Sequence, residues 1–99
     1  MADYTRITVH VVEITDTLDL HTFHPREVKA LVNDYLDLAI EKGFTEVRII
    51  HGKGTGTLRQ IVHSVLDKHL AVVKYQLAPE HRGGWGATIV VLEPPSSGG

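Results

Sequence analysis

The 99-residue sequence contains no cysteine, no long apolar run and no excess of basic residues. Without cysteine the chain can form neither disulfides nor thiolate metal sites, and we expect a cytoplasmic protein. Its apolar stretches are far shorter than the roughly 18 residues needed to cross a bilayer, and no basic leader precedes an apolar block near the start. We therefore predict neither membrane association nor secretion, and a chain this short has room for one hydrophobic core.

The charge balance is slightly acidic, with a net charge of −2 when histidine is neutral. Contacts to nucleic-acid phosphates come mainly from lysine and arginine, so this balance by itself argues against a nucleic-acid binder. The charges are nevertheless uneven, because residues 1–47 are net −5 and residues 48–82 are net +4. Such an asymmetry fits either a binding surface or chance clustering on a solvated surface. The seven histidines exceed what packing requires in a domain of this size.

Hydrophobic periodicity predicts strands and two helices. Apolar and polar residues that alternate, or short β-branched runs, indicate strands, and apolar residues three and four apart indicate helices. Pro25 suits a first helical turn, Gly43 ends the first helix, and Thr57 is the expected N-cap of the second. The first two extended segments form either separate strands or one bent strand. The predicted strands are Thr5–Ile14, Leu18–His21, Val47–Ile50, Val72–Leu77 and Ala87–Leu92, and the predicted helices are Pro25–Lys42 and Thr57–Leu70.

The order of these elements predicts an α/β fold, a two-layer α/β sandwich with a mixed sheet in the order β-α-β-α-β-β. Two right-handed crossovers would build a parallel part of the sheet, and the final hairpin would add an antiparallel part. We predict an N-terminal strand or extension at 1–16, the folded domain at 17–93 and a flexible tail at 94–99. Ligands of such sheets bind beyond the carboxyl ends of the parallel strands, where two histidine motifs fall.

The first motif is Leu18-Asp19-Leu20-His21. In an extended chain Asp19 and His21 point to the same side, so a carboxylate and an imidazole share one face. Such a pair can orient its members, hold a metal ion through Asp19, or divide general acid and base work between them. The alternative is an ordinary surface pair at the end of a strand.

The second motif joins a strand to a helix through three glycines. Glycine lets the backbone approach an anion, and the helix N-terminus attracts phosphate. The motif fits neither a Walker A loop nor the dinucleotide pattern, so we expect no nucleotide cofactor. A tight turn is the alternative, although a histidine and a lysine exceed what a turn requires. The candidate phosphate-binding residues are Gly52, Lys53, Gly54, Thr55, Gly56 and Arg59, with His51 at the end of the strand.

The third motif is a glycine-rich loop that holds the single tryptophan, Trp85. An exposed aromatic near Arg82 and Gly84 suits stacking on a nucleic-acid base or on a partner side chain. A glycine hairpin with the tryptophan folded onto its edge explains the pattern equally well. His63 and His69 fall within a predicted helix, where packing or solvent exposure is the expected role.

Together these motifs resemble the Smr (small MutS-related) domain family over about residues 18–92. The family's Leu-Asp-x-His pattern matches Asp19 and His21, and its His-Gly-x-Gly pattern matches His51, Gly52 and Gly54. The resemblance implies a fold similar to the C-terminal domain of bacterial translation initiation factor 3. It also implies a nuclease that nicks DNA or cuts RNA, here in a stand-alone form. Many members have glycine after the first histidine, whereas this chain has threonine at that position.

The function expected from the resemblance is phosphodiester hydrolysis. Lys53 and Arg59 would hold a phosphate, while His21 or His51 would activate the nucleophile or protonate the leaving oxygen. Asp19 would orient His21 or help hold a divalent cation, Mg²⁺ or Mn²⁺. Two other classes stay open: a non-catalytic module for branched or single-stranded nucleic acid, and a protein-interaction or dimerisation domain. The sequence predicts a nucleic-acid partner and no membrane partner, and it leaves DNA against RNA and the oligomeric state open.

Overall fold

The computed structural model describes residues 14–94. All but the last residue of the strand predicted at Thr5–Ile14, and almost all of the predicted tail, lie outside the described residues. The described elements follow the predicted order, with two short 3₁₀ turns at Glu80–Arg82 and Gly84–Gly86 in the last loop. The strands and helices are β1 (Thr17–Asp19), α1 (Pro25–Glu41), β2 (Glu46–Ile50), α2 (Thr57–Lys68), β3 (Val72–Leu77) and β4 (Ala87–Leu92).

The four described strands form one mixed sheet in the order β1-β2-β4-β3. β1 runs parallel to β2, and β4 pairs antiparallel to both β2 and β3. The predicted α/β class, the mixed sheet and the final hairpin are confirmed. The second crossover does not extend the parallel part of the sheet, however, because β4 inserts between β2 and β3. Only β1 and β2 therefore form a parallel pair among the described strands.

Both helices pack on one face of the sheet, which makes the fold a two-layer sandwich. Apolar residues recur every three or four positions in each helix, so each helix buries one face, whereas β4 lies inside the sheet and is buried on both faces. A smaller apolar cluster lies on the other face of the sheet, where Ile50 packs on Ala78, Ala87 and Ile89. The main core contains Leu20, Val28, Val32, Tyr35, Leu36, Ala39, Val47, Ile49, Val62, Val65, Leu66, Val90 and Leu92.

The two helices begin in different ways. At α1, Pro25 occupies the first turn and the Glu27 carboxylate accepts a hydrogen bond from the backbone N–H of His24, 3.1 Å away. At α2 the predicted N-cap is wrong, because Gly56 is the N-cap and Thr57 is already helical. Gly56 has φ 91°, a left-handed conformation that glycine adopts at little cost and that turns the loop sharply into the helix. Within residues 14–94, no helix is long and apolar enough to span a bilayer.

Candidate functional site

The first two motifs begin side by side at the carboxyl ends of β1 and β2. Asp19 pairs with Ile50 in the parallel ladder, and the backbone N–H of Leu20 donates to Ile50 O at 3.0 Å. Ile50 packs on the sheet face away from the helices, so Asp19 also lies on that face. His51, the residue that directly follows β2, is buried. The two motifs therefore share one end of the sheet, while Asp19 and His51 project from opposite faces.

Asp19 and His21 form a hydrogen-bonded pair that is open to solvent. The backbone N–H and the ring Nδ1 of His21 both donate to Asp19 Oδ1, at 3.0 and 2.8 Å. These two bonds, the backbone bond first, lower the pKa of Asp19 below its usual value, so the carboxylate stays ionised. Because an ionised carboxylate only accepts hydrogen bonds, Nδ1 of His21 carries a proton, and its Nε2 has no partner among residues 14–94. The His21 side chain is 75% exposed, which leaves this nitrogen accessible.

His51 has no ring nitrogen free for substrate. Its Nδ1 donates to the backbone O of Gly52 at 3.0 Å, and its Nε2 lies 2.8 Å from the hydroxyl of Thr88. Burial lowers the pKa of His51 and the nearby Arg59 charge lowers it further, although the bond to Gly52 acts the other way. Of the two histidines expected to be catalytic, His21 alone presents a nitrogen to solvent.

The glycine loop and the start of α2 surround a pocket of about 320 Å³. Arg59 lines the pocket, and its guanidinium lies against Gly56, since a Cβ added to Gly56 would be only 2.9 Å from Arg59 Nη2. The first intrahelical bond of α2 runs from Gln60 N to Gly56 O at 2.9 Å, so the amides before Gln60 have no helical acceptor. The N–H of Thr57 donates to Thr55 Oγ1 at 3.4 Å, so the pocket combines the amides of Leu58 and Arg59, unbonded within residues 14–94, with the positive charge of Arg59. Its lining residues are Pro25, His51, Gly52, Gly54, Thr55, Gly56, Thr57, Leu58 and Arg59, without Asp19 or His21.

The third loop joins the second one through backbone and side-chain contacts. The backbone N–H groups of His51 and Gly52 both donate to Gly86 O, at 3.0 and 2.8 Å. The Lys53 ammonium lies 5.7 Å from the centroid of the Trp85 ring, close enough for a cation–π contact. Trp85 is 54% exposed, so one surface presents an aromatic ring and a cation beside the glycine loop.

Two predicted binding residues lie away from the glycine loop contacts. The Arg82 guanidinium forms an ion pair with Glu46 at 3.1 Å, near the start of β2. Its backbone O accepts a hydrogen bond from Arg48 Nη1, which holds this part of the loop over the sheet face away from the helices. Gly84 is buried within a 3₁₀ turn and donates to Pro79 O at 2.9 Å, so it shapes the loop.

A known protein family matches nearly all of the described residues. The family model for the Smr domain matches residues 18–93. The chain belongs to the Smr domain family. Its Smr domain is similar to that of proteins named Endonuclease MutS2, with 45% identity over 76 residues in both Thermomicrobium roseum and Enterococcus faecalis. Those matches cover 77% of this chain and 10% of each relative, so the chain spans about a tenth of their length.

Two solved structures share the fold of this Smr domain. The crystal structure of the Smr domain of Thermus thermophilus MutS2 superposes with a TM-score of 0.76 and 35% identity, covering 81% of this chain and all of that one. YdaL, a stand-alone small MutS-related protein from Escherichia coli, gives a TM-score of 0.75 and 31% identity, covering 79% of this chain and 64% of that one. These neighbours confirm the family and the mixed α/β architecture.

Thr88, which ends the third motif, and His63 were not predicted to have a role in the Smr domain site. Thr88 is fully buried within β4, and its hydroxyl lies 2.8 Å from the Nε2 atoms of both His51 and His63. A threonine inside an otherwise apolar strand is a usable signal, because a buried hydroxyl requires a hydrogen-bond partner. The sequence alone does not identify that partner, because His51 and His63 lie 37 and 25 residues before Thr88 in the chain.

The described residues of the Smr domain hold no group of three or more His, Cys, Asp or Glu side chains arranged to surround a metal ion. Asp19 has one oxygen bonded to His21 and one left to offer. A Mg²⁺ ion commonly binds through one or two carboxylates together with waters and substrate phosphates, and Asp19 fits that limited role. A larger cleft of about 450 Å³ lies between the helices, and no motif residue lines it.

Proposed function

We propose that this Smr domain binds nucleic acid at the glycine loop and hydrolyses a phosphodiester bond, nicking or cutting DNA or RNA. The observation that carries the proposal is the exposed Asp19–His21 pair with a free Nε2, at the same end of the sheet as a cationic pocket. The MutS2 relatives are named endonucleases, which supports this reaction class.

Substrate binding rests on charge and backbone donors around the pocket. The backbone amides of Leu58 and Arg59 and the Arg59 guanidinium suit a phosphate, because a helix N-terminus and a cation both attract anions. Lys53 adds a second cation beside Trp85, whose exposed ring suits stacking on a base next to that phosphate. These groups also favour the transition state, in which negative charge builds up on the phosphoryl oxygens.

Proton transfer belongs to His21 in this proposal. Nε2 accepts a proton from the attacking water or, once protonated, donates one to the leaving oxygen. Asp19 keeps the imidazole in the tautomer that exposes Nε2 and stabilises the imidazolium that forms. A bound divalent cation would supply Lewis-acid stabilisation of the phosphate, with the second oxygen of Asp19 as its protein ligand.

The test compares cleavage by the wild type, His21→Ala and Asp19→Asn on supercoiled plasmid and on structured RNA, with Mg²⁺, Mn²⁺ or a chelator. We expect His21→Ala to lower the rate by about 10²- to 10⁴-fold, the usual contribution of a general acid or base. Asp37→Asn is the matched control, because Asp37 forms a similar carboxylate–imidazole pair with His69 at 2.9 Å, outside the site. Equal rates for His21→Ala and the wild type would refute the role of His21.

A non-catalytic nucleic-acid module is the second candidate. The exposed Lys53–Trp85 pair favours it, because stacking and charge hold a strand without any chemistry. Binding of a labelled strand by the wild type, without turnover under any of the metal conditions, would select this function over the nuclease.

A further inference from the structure

A chain of hydrogen bonds runs from α2 through β4 to the glycine loop. His63 Nε2 lies 2.8 Å from Thr88 Oγ1, and the same oxygen lies 2.8 Å from His51 Nε2. His51 Nδ1 lies 3.0 Å from the backbone O of Gly52, the first residue of the loop. The His63–Thr88–His51 chain therefore ends on the loop that lines the phosphate pocket.

The protons in this chain can be ordered in one way when both histidines are neutral. A carbonyl oxygen only accepts, so the proton on His51 is at Nδ1 and its Nε2 accepts. The Thr88 hydroxyl then donates to His51 Nε2, and its oxygen accepts the proton of His63 Nε2. Each of the three hydrogen bonds then has one donor and one acceptor.

The surroundings of the chain favour the neutral imidazoles. His51 is 6% exposed and Thr88 is fully buried. Burial lowers the pKa of His63, and the neighbouring His51 and Arg59 lower it further, while Asp67 acts the other way. The Tyr75 ring covers His63 at a centroid distance of 4.8 Å. The Tyr75 hydroxyl is directed to Asp67 at 2.6 Å, which engages one oxygen of that carboxylate.

We propose that Thr88 and His63 are positioning residues, which hold His51 as its Nδ1–H tautomer and thereby fix the Gly52 carbonyl and the glycine loop. The role rests on the proposed function only in that the loop serves to bind phosphate. The chain accepts one added proton: on His63 Nδ1 the proton changes none of these bonds, and on His51 Nε2 it requires the hydroxyl to reverse and His63 to take the Nδ1–H tautomer. Two added protons break it, since both Nε2 atoms would donate to one oxygen and the hydroxyl proton would lose its acceptor.

The first test reads the tautomers directly by long-range ¹H–¹⁵N NMR of the histidine rings in the full chain at neutral pH. We expect protonated Nδ1 and bare Nε2 for His51, and the opposite pattern for His63. Thr88→Val removes the hydroxyl at nearly constant volume, and we expect mixed His51 tautomers and shifted loop glycine amides. Thr88→Ser keeps the hydroxyl and is expected to preserve both signals. A wild-type His51 protonated at Nε2 would overturn the proposal.

The second test measures binding of a fluorescein-labelled single-stranded DNA oligonucleotide. We expect Thr88→Val and His63→Leu to weaken binding by about tenfold, the order of one lost hydrogen bond, while His63→Gln, which keeps a donor, is expected to rescue it. Normal affinity and unshifted loop amides in both Thr88→Val and His63→Leu would overturn the positioning role. No binding by the wild type would refute the proposed function alone, because the tautomers and amides would still decide this proposal.

Discussion

At the scale of single residues, environment separates two histidines that the sequence presents as equals. His21 lies in the open with one nitrogen bonded to Asp19 and the other free. His51 is buried, and both of its nitrogens are bonded within the fold. An imidazole in the first setting can exchange protons with a substrate, whereas one in the second setting holds the groups bonded to it in place. The same side chain therefore suits a reactive role in one loop and an architectural role in the next.

The buried histidines make a residue-scale prediction about pH. The lowered pKa values of His51 and His63 mean that the unfolded chain, with histidine pKa values of about 6.5, binds more protons just below that pH. We therefore expect the free energy of unfolding to fall as the pH drops below about 6.5. Urea denaturation at about pH 8 and about pH 5.5 measures the difference, and His63→Gln is expected to reduce it. A difference as large in His63→Gln as in the wild type would contradict the assignment for His63.

The first motif could be predicted from sequence, and the histidine contacts could not, for a physical reason. Asp19 and His21 are two residues apart and meet through local hydrogen bonds, although β1 ends at Asp19 and His21 lies in the following turn rather than in the predicted strand. The bonds of Thr88 to His51 and His63 depend on how β4 inserts beside β2 under α2, which no local pattern encodes. Arg82 is likewise near Trp85 in sequence, but the path of its loop brings its guanidinium to Glu46 instead of to the glycine loop.

At the scale of elements, the junction of the glycine loop with α2 depends on one backbone conformation. Gly56 is left-handed, and an added Cβ would meet Arg59 Nη2 at 2.9 Å. We expect Gly56→Ala to lower the free energy of unfolding by about 1–2 kcal/mol, the cost of a left-handed conformation in a residue with a side chain. Gly54→Ala is the matched control, because nothing lies within 4 Å of a Cβ at Gly54. Urea denaturation of both variants gives the comparison, and equal stabilities would contradict this account of the junction.

Element bounds were largely predictable, whereas their lateral order was not. The predicted bounds of β3 and β4 match the structure, because β-branched and apolar runs between glycine-rich or charged segments mark strands clearly. The helix starting at Pro25 also matches to within a residue at its end. The position of β4 between β2 and β3 does not follow from hydrophobic period alone, since the period indicates which faces of a strand are buried and not which strands lie beside it.

At the scale of the whole molecule, the position of a charge matters more than the net charge of −2. Lys53 lies beside the pocket and Trp85, whereas Lys29 lines the separate cleft between the helices. Lys53→Ala and Lys29→Ala each remove one positive charge. We expect Lys53→Ala alone to reduce the slope of log affinity against log salt, by about 0.7 to 0.9 for one phosphate contact. Titrations of a labelled oligonucleotide at several salt concentrations measure the slope, and equal slopes for the two variants would argue against Lys53 as a phosphate ligand.

The inner position of β4 also has a consequence for biosynthesis. A ribosome makes β4 last among the described strands, yet β2 and β3 both need it as their neighbour. Until Leu92 has left the exit tunnel, the pairing among the described strands is limited to β1 with β2, and β3 lacks the strand it pairs with. The nascent chain thus completes its sheet in one late step, and a message truncated before β4 yields a polypeptide with two exposed strand edges, a substrate for chaperones and proteases.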